Sequence, residues 1–326
     1  MSLRIPARGV LAAATACLAL LAQPTPAAQA YPTQPVRIVV PFAAAGTSDV
    51  VTRILSQPLG EAWKVAIVVD NRPGAGGNIG SDMVAKAAPD GYTMLMGTVA
   101  THGINASLYK QLSFDPVKDF APVSLVASTP SVLMVNESLP VASVAELIAY
   151  AKEHKLYFGS PGNGSSHHLA GELFNSMAGT KMTHVPYRGT AAAITDLIGN
   201  RIQVIFDTLP SALPHVKSGQ LKALAVTSLQ RDPALPDLPA IAEAGLPGYE
   251  VGSWYGLLMP AGTPPEVVEQ AGRDVGRIVR EPAVSARLQA QGATPVGSTP
   301  AEFAAHIRRE LDKWAPIIKA SGAQVD

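Results

Sequence analysis

Residues Tyr157 to Phe174, YFGSPGNGSSHHLAGELF, decide how the rest of the chain is read. The stretch reads as the end of a strand, a glycine-rich loop and a helix. Gly159, Gly162 and Gly164 allow a sharp turn and a close approach of the backbone to something else. Ser165 and Ser166 are candidates for the helix N-cap, and Leu169, Leu173, Phe174 and Met177 recur at helical spacing. Such a loop aims unbonded backbone N–H groups and the positive end of a helix dipole at one point, which suits a carboxylate or a phosphate.

A second stretch has the same grammar. Val36 to Pro41, VRIVVP, is a run of β-branched residues typical of a buried strand. It enters Phe42-Ala43-Ala44-Ala45-Gly46-Thr47-Ser48-Asp49, and Val50, Val51, Ile54, Leu55 and Leu59 then form a helical face. Further strands are expected at Val65–Val69, Tyr92–Met96, Phe120–Val126, Val132–Val135, Lys181–Val185, Val204–Phe206, Leu221–Val226 and Val251–Met259. Helices are expected from Ser143, Ala191, Pro264, Glu281 and Thr299, the last with Glu302 completing a capping box. Arg231 to Gly248, rich in Pro, Ala and Leu, is expected to run over the surface. Strands and helices alternate throughout, which implies an α/β fold of mostly parallel sheets covered on both faces.

Composition narrows the function. The 326 residues carry 25 basic and 25 acidic side chains, so no net charge draws the chain to nucleic acid or an anionic membrane. Arg4 and Arg8, the short apolar run Val10–Leu21 and the Ala28-Gln29-Ala30 site have the layout of a cleaved export signal, with the mature chain starting at about Tyr31. The apolar run is too short to span a membrane. Cys17, the only cysteine, lies inside that signal, so disulfides, thiolate metal sites and cysteine nucleophiles are excluded from the mature protein.

Other chemistries find little support. Asn71–Gly80, NRPGAGGNIG, lacks dinucleotide glycine spacing. Ser165 or Ser166 beside His167 or His168 raises acyl transfer, but adjacent residues rarely face one another and no G-x-S-x-G elbow is present. The histidines lack metal-ligand spacing. No catalytic residue, metal or cofactor is expected. The polar strand ends are instead candidate ligand contacts: Phe42, Ala44, Ala45, Gly46, Thr47 and Asp49 in the first loop; Thr98, His102 and Asn105; Ser160, Gly162, Asn163, Gly164, Ser165 and His168; Tyr187, Arg188 and Gly189; and Asp207. Arg188 is the one cation among them, and guanidinium favours carboxylate.

The chain resembles the substrate-binding proteins of tripartite tricarboxylate transporters, the Bug family of periplasmic receptors. The matching stretches include YPTQPVRIVVPFAAAGTSD, VVDNRPGAGGNIGSDMVAKAAPDGYT, FGSPGNGSSHHLAGELF, HVPYRGTAAAITDLI and FDTLPSALPHVKSGQLKALAVTS. The resemblance implies a periplasmic-binding-protein type II-like fold of two doubly wound α/β lobes joined by a two-segment hinge. Lobe one would comprise residues 31–127 and 252–326 and lobe two residues 128–251, after a signal peptide of residues 1–30. The hinge would lie at Val126–Pro130 and Tyr249–Ser253. The implied function is a monomeric periplasmic receptor that closes on a small organic carboxylate and delivers it to membrane transporter subunits. A sensor receptor on the same fold and an exported serine hydrolase are the alternatives. The family's first loop usually carries Gly-Gly before Thr, where this chain has Ala45-Gly46, and Thr190 stands where another glycine is common. Ligand specificity is expected to depend on side chains at the far end of the cleft, His102, Tyr187 and Trp254.

Overall fold

The computed structural model describes residues 31–187 and 189–325. The expected leader, residues 1–30, and Arg188 lie outside the described residues. From Gln34 onward the chain forms one compact unit.

Two sheets share one long strand. The first contains β1 (Val36–Val40), β2 (Ile67–Asn71), β3 (Thr93–Thr98), β9 (Gly252–Pro260) and the first part of β4 (Phe120–Asn136), in the order β2-β1-β3-β9-β4. β10 (Thr294–Pro295) pairs with β4 on its other side. The second contains the rest of β4 with β5 (Tyr157–Ser160), β6 (Thr183–Pro186), β7 (Val204–Thr208) and β8 (Leu221–Val226), running β4-β7-β5-β6 with β8 also on β4. Within each half the strands followed by helices are parallel: β1 with β2 and β3, and β5 with β6 and β7.

The expectation of mostly parallel sheets is corrected at the centre. β4 and β9 run antiparallel to each other over their whole shared length, Phe120↔Pro260 to Pro130↔Gly252, and β4 is antiparallel to β7 and β8. The two expected strands, Phe120–Val126 and Val132–Val135, are therefore one strand. Pro130 does not interrupt it, because pairing with β9 continues to that residue. The second strand starts at Ile67 rather than Val65, because Lys64 closes the preceding helix in a left-handed conformation with φ 57°. Ala240, Ile241 and Leu246 are buried, so the stretch expected to run over the surface is partly core.

Helices cover the sheets: α1 (Thr47–Trp63), α2 (Asn78–Ala85), α3 (Asn105–Leu108), α4 (Val144–Glu153), α5 (Ser166–Ala178), α6 (Thr190–Ile198), α7 (Leu209–Lys217), α8 (Pro265–Val279), α9 (Pro282–Ala290) and α10 (Pro300–Ser321). α8 buries Val268, Ala271, Val275, Ile278 and Val279, a stripe at three- and four-residue spacing. α10 starts with the expected capping box: Thr299 Oγ1 accepts the Glu302 N–H, and the Glu302 carboxylate accepts the Thr299 N–H at 2.8 Å. Its Phe303 lies on β9 over Gly256, where a Cβ would stand 2.2 Å from the ring. Glycine at that position lets the helix come down onto the sheet.

Candidate functional site

Strand ends from both sheets meet at one cavity of about 330 Å³. After β1 it is lined by Phe42, Gly46, Thr47 and Ser48. After β3 it is lined by Thr98, Val99, Ala100 and Ile104. After β5 the lining residues are Gly164, Ser165 and Ser166, and after β7 Thr208; Ser253 and Tyr255 of β9 complete it. Each of the first four strands ends there and passes into a helical turn: α1, the π-helical turn Ala100–Ile104, α5 and α7. Carboxyl ends of parallel strands are where ligands collect in open α/β sheets. Among the described residues no charged side chain lines the cavity.

The first loop is shaped by Asp49. Its Oδ2 accepts the Ala45 N–H at 2.9 Å and Arg53 Nε at 3.0 Å, and its Oδ1 accepts Asn71 Nδ2 at 3.0 Å. Burial opposes the charge, but the hydrogen bonds from Arg53, Ala45 and Asn71 hold the carboxyl below its ordinary range. Asp49 is 3 % exposed and organises the loop from behind. Ala45 sits at φ 65°, a conformation glycine adopts more readily, and Ala44 and Ala45 are exposed rather than turned to the cavity. Gly46 caps α1 with extended backbone and no side-chain bond. The N–H groups of Thr47 and Ser48, in the first turn, have no intrahelical acceptor.

The second loop is a denser network. Ser160 and Ser165 hydroxyls both donate to the Gly162 carbonyl, at 2.9 and 2.7 Å, and the Gly162 N–H donates back to Ser160 Oγ. Ser165 is the N-cap of α5, its Oγ accepting the His168 N–H at 3.2 Å. The Gly164 N–H donates to His168 Nδ1 at 3.0 Å. His184 meets Ser160 Oγ at 2.6 Å and stacks on His168 at 3.8 Å; burial, with the His168 charge, pushes it down to about 4. The Ser165 hydroxyl is thus engaged as a cap, while Ser166 Oγ lies 3.5 Å from His167 Nδ1, at the far limit of a hydrogen bond.

The remaining sequence candidates lie off the cavity. Asn163 is exposed on its loop. Asn105 is buried, its amide donating to Gly76 O and Asn78 Oδ1. Tyr187 donates to Asp196, with Gly189 capping α6. Asp207 accepts His167 Nε2 at 3.2 Å and the Thr208 N–H at 2.8 Å. Trp254, read as a specificity contact, points away because the pleat of β9 gives the cavity face to Ser253 and Tyr255. Tyr255 was missed: burial pushes its phenol up, and Thr47 and Ser253 side chains hydrogen-bond it, tying the start of α1 to β9. Thr208 was visible only as a polar strand end.

His102 is fully buried against Phe114 and Phe120, with ring centroids 6.2 and 4.7 Å away. Thr101 Oγ1 donates to Thr98 O, so His102 Nδ1 carries the proton in its 2.8 Å bond to that hydroxyl. Nε2 is left without a partner among the described residues. Burial pushes the ring down to about 3 from 6.5. The folded protein therefore refuses a proton that the unfolded chain accepts. Stability is complete above pH 6.5 and falls as acid is added between 6.5 and about 3. His102→Phe is expected to shrink the stability lost between pH 7 and pH 4 by about 2–3 kcal/mol. Urea unfolding at the two pH values checks this; equal losses in variant and wild type would remove His102 as the cause.

The tripartite tricarboxylate transporter family receptor profile matches residues 51–323. The chain belongs to this receptor family. BugT of Bordetella pertussis is 35 % identical over 301 residues, covering 91 % of this chain and 92 % of that one. The solved structure of R. palustris Rpa4515 with adipate is 40 % identical with a TM-score of 0.76, covering 90 % of this receptor and 98 % of that chain. MatC from Rhodopseudomonas palustris with bound malate is 32 % identical with a TM-score of 0.71, covering 88 % and 100 %. The receptor has the two-lobe periplasmic-binding fold of these relatives. Among the described residues no helix is long and apolar enough to cross a membrane, and no group of three or more His, Cys, Asp or Glu could hold a metal ion.

Proposed function

We propose that the receptor captures a small organic carboxylate in the cavity between its two sheets and delivers it to membrane transporter subunits. One observation carries the reading: helix starts from both sheets surround a cavity that, among the described residues, has no charged lining side chain. Backbone N–H groups and helix dipoles then supply the positive potential, and they favour an anion without demanding a particular side chain. The adipate and malate complexes of its relatives support the same ligand class. The candidate contacts are the first and second loops, with Thr98, Thr208, Ser253 and Tyr255.

The lobes in this reading are residues 31–127 with 252–326, and residues 128–251. The crossings at 126–130 and 249–253 bend to close the cleft. The leader, residues 1–30, sends the chain to the periplasm, where it acts as a monomer and not as an enzyme. Calorimetry and thermal melts of the chain from Tyr31 test the binding. Adipate, malate, succinate and citrate are the anionic probes, with neutral sugars and amines alongside. A carboxylate at about a hundred times its Kd should stabilise the fold by about 2.7 kcal/mol. Hits confined to sugars or amines would overturn the reading.

A further inference from the structure

His167 and Asp207 do not line the cavity, yet each stands next to a residue that does. Ser166 opens α5 and lines the cavity, and His167 follows it in the first turn. Thr208 is the N-cap of α7 and lines the cavity, and Asp207 precedes it at the end of β7. His167 Nε2 meets Asp207 Oδ1 at 3.2 Å, and the same oxygen accepts the Thr208 N–H at 2.8 Å. One carboxylate oxygen therefore ties the start of α5 to the start of α7. The bridge is buried, with the Asp207 side chain 1 % exposed and that of His167 13 %. Asp207 Oδ2 has no hydrogen-bond partner among the described residues. Burying a carboxylate with one oxygen unpaired is costly. Neither element needs the bridge in order to form: α5 is capped by Ser165, and β7 is paired with β4 and β5. His168, the next residue, turns the other way, its Nδ1 accepting the Gly164 N–H and its ring stacked on His184. What the His167–Asp207 bridge fixes is the spacing of two helix starts at the cavity.

We propose that His167 is a positioning residue for ligand capture: through Asp207 it holds the first turn of α5 at a set distance from Thr208, so that both face one bound acid. This rests on the carboxylate reading. The bridge acts before the ligand arrives, by removing freedom that binding would otherwise have to remove. A loosened first turn lowers the affinity for every carboxylate by the same factor, because His167 touches none of them. The residue sets the strength of capture and leaves the choice of acid to the lining side chains.

Side-chain reach provides the test. A glutamine amide nitrogen takes the place of His167 Nε2 and donates to Asp207, whereas an asparagine amide ends near the place of Nδ1 and falls short. Calorimetry with adipate and with malate, well below the melting transition, compares wild type with His167→Gln and His167→Asn. The asparagine variant is expected to weaken both acids by the same factor of roughly tenfold, and the glutamine variant to stay within about twofold of wild type. Amide hydrogen exchange on the ligand-free protein reads the bridge directly: the Thr208 N–H should exchange faster in the asparagine variant and at the wild-type rate in the glutamine variant. Wild-type affinity or wild-type Thr208 exchange in the asparagine variant would overturn the proposal, as would equal losses in the two variants. A change in the ratio of adipate to malate affinity would make His167 a ligand contact and overturn it as well. Failure of both acids to bind wild type would overturn the carboxylate reading and the proposal together, whereas failure of the variants to differ overturns the proposal alone.

Discussion

Gly162→Val is expected to weaken carboxylate binding roughly a hundredfold or more while lowering unfolding stability by only about 1–3 kcal/mol. Gly162 sits at φ 144°, a conformation L side chains rarely adopt, and the nearest atom to an added Cβ is Tyr187 O at 4.0 Å. A side chain therefore has room, and the strain lies in the backbone alone. β-Branched valine tolerates such a φ least. Relief requires the Ser160–Ser165 loop to rotate. The Gly162 carbonyl is the common acceptor of the Ser160 and Ser165 hydroxyls and of the Ser165 N–H. Rotation breaks that junction and displaces the N-cap of α5, and with it the Ser166 and His167 N–H groups. The core below is untouched, because Phe158 and Leu169 pack from β5 and α5 rather than from the loop. Calorimetry with adipate and urea unfolding on the same sample separate the two effects. Binding and stability lost in equal measure would show that the loop holds the fold and not the ligand.

The parts of the site that the sequence revealed are those written locally. A β-branched run, a glycine or small-residue loop and a capped helix lie within about twenty residues, and both candidate loops follow that pattern. The same locality explains Ser165 as cap, the Thr299–Glu302 box and the starts of α8 and α9. What failed was aim. His102 and Trp254 are polar-tipped and close to strand ends, yet one lies on a π-helical turn that points it into the Phe114–Phe120 nest, and the other has the wrong parity on β9. Parity depends on register with β3 and β4, which pairs residues more than a hundred positions apart. Tyr255 was missed for the same reason: it stands opposite Thr98 on β3, and its hydroxyl meets Thr47 from the loop after β1. Alternating strands and helices described each half correctly, but not β4 and β9, whose antiparallel pairing joins segments far apart in the chain.

Glu310→Ala is expected to lower unfolding free energy by about 3–5 kcal/mol, with weaker ligand binding as a consequence. Glu310 is 4 % exposed on α10, and its Oε2 accepts both Trp254 Nε1 at 3.1 Å and Trp314 Nε1 at 3.0 Å. Its other oxygen pairs with Lys313, whose ammonium also lies over the Trp314 ring. Removing the carboxylate strands two buried indole donors at once, and each unpaired donor is worth about 1–3 kcal/mol. Lys313 loses its ion-pair partner as well, although it keeps the Glu250 carbonyl at 3.5 Å and its side chain reaches solvent, so it adds less. Glu310→Gln separates charge from shape. Its amide oxygen, in the place of Oε2, still accepts both indoles but without the charge, while its amino group meets the Lys313 ammonium in the place of Oε1, so about 1–3 kcal/mol should be lost. The consequence for binding runs through Trp254, the residue between Ser253 and Tyr255 on β9. Its ring is clamped from behind by Glu310 and by the His306 ring 5.2 Å away. Freeing that ring loosens the strand that carries the cavity floor. Adipate affinity should then fall in parallel with stability across alanine and glutamine. A loss of stability below about 1 kcal/mol in the alanine variant would mean that the indoles find other acceptors, and that Glu310 is not the anchor of this strand.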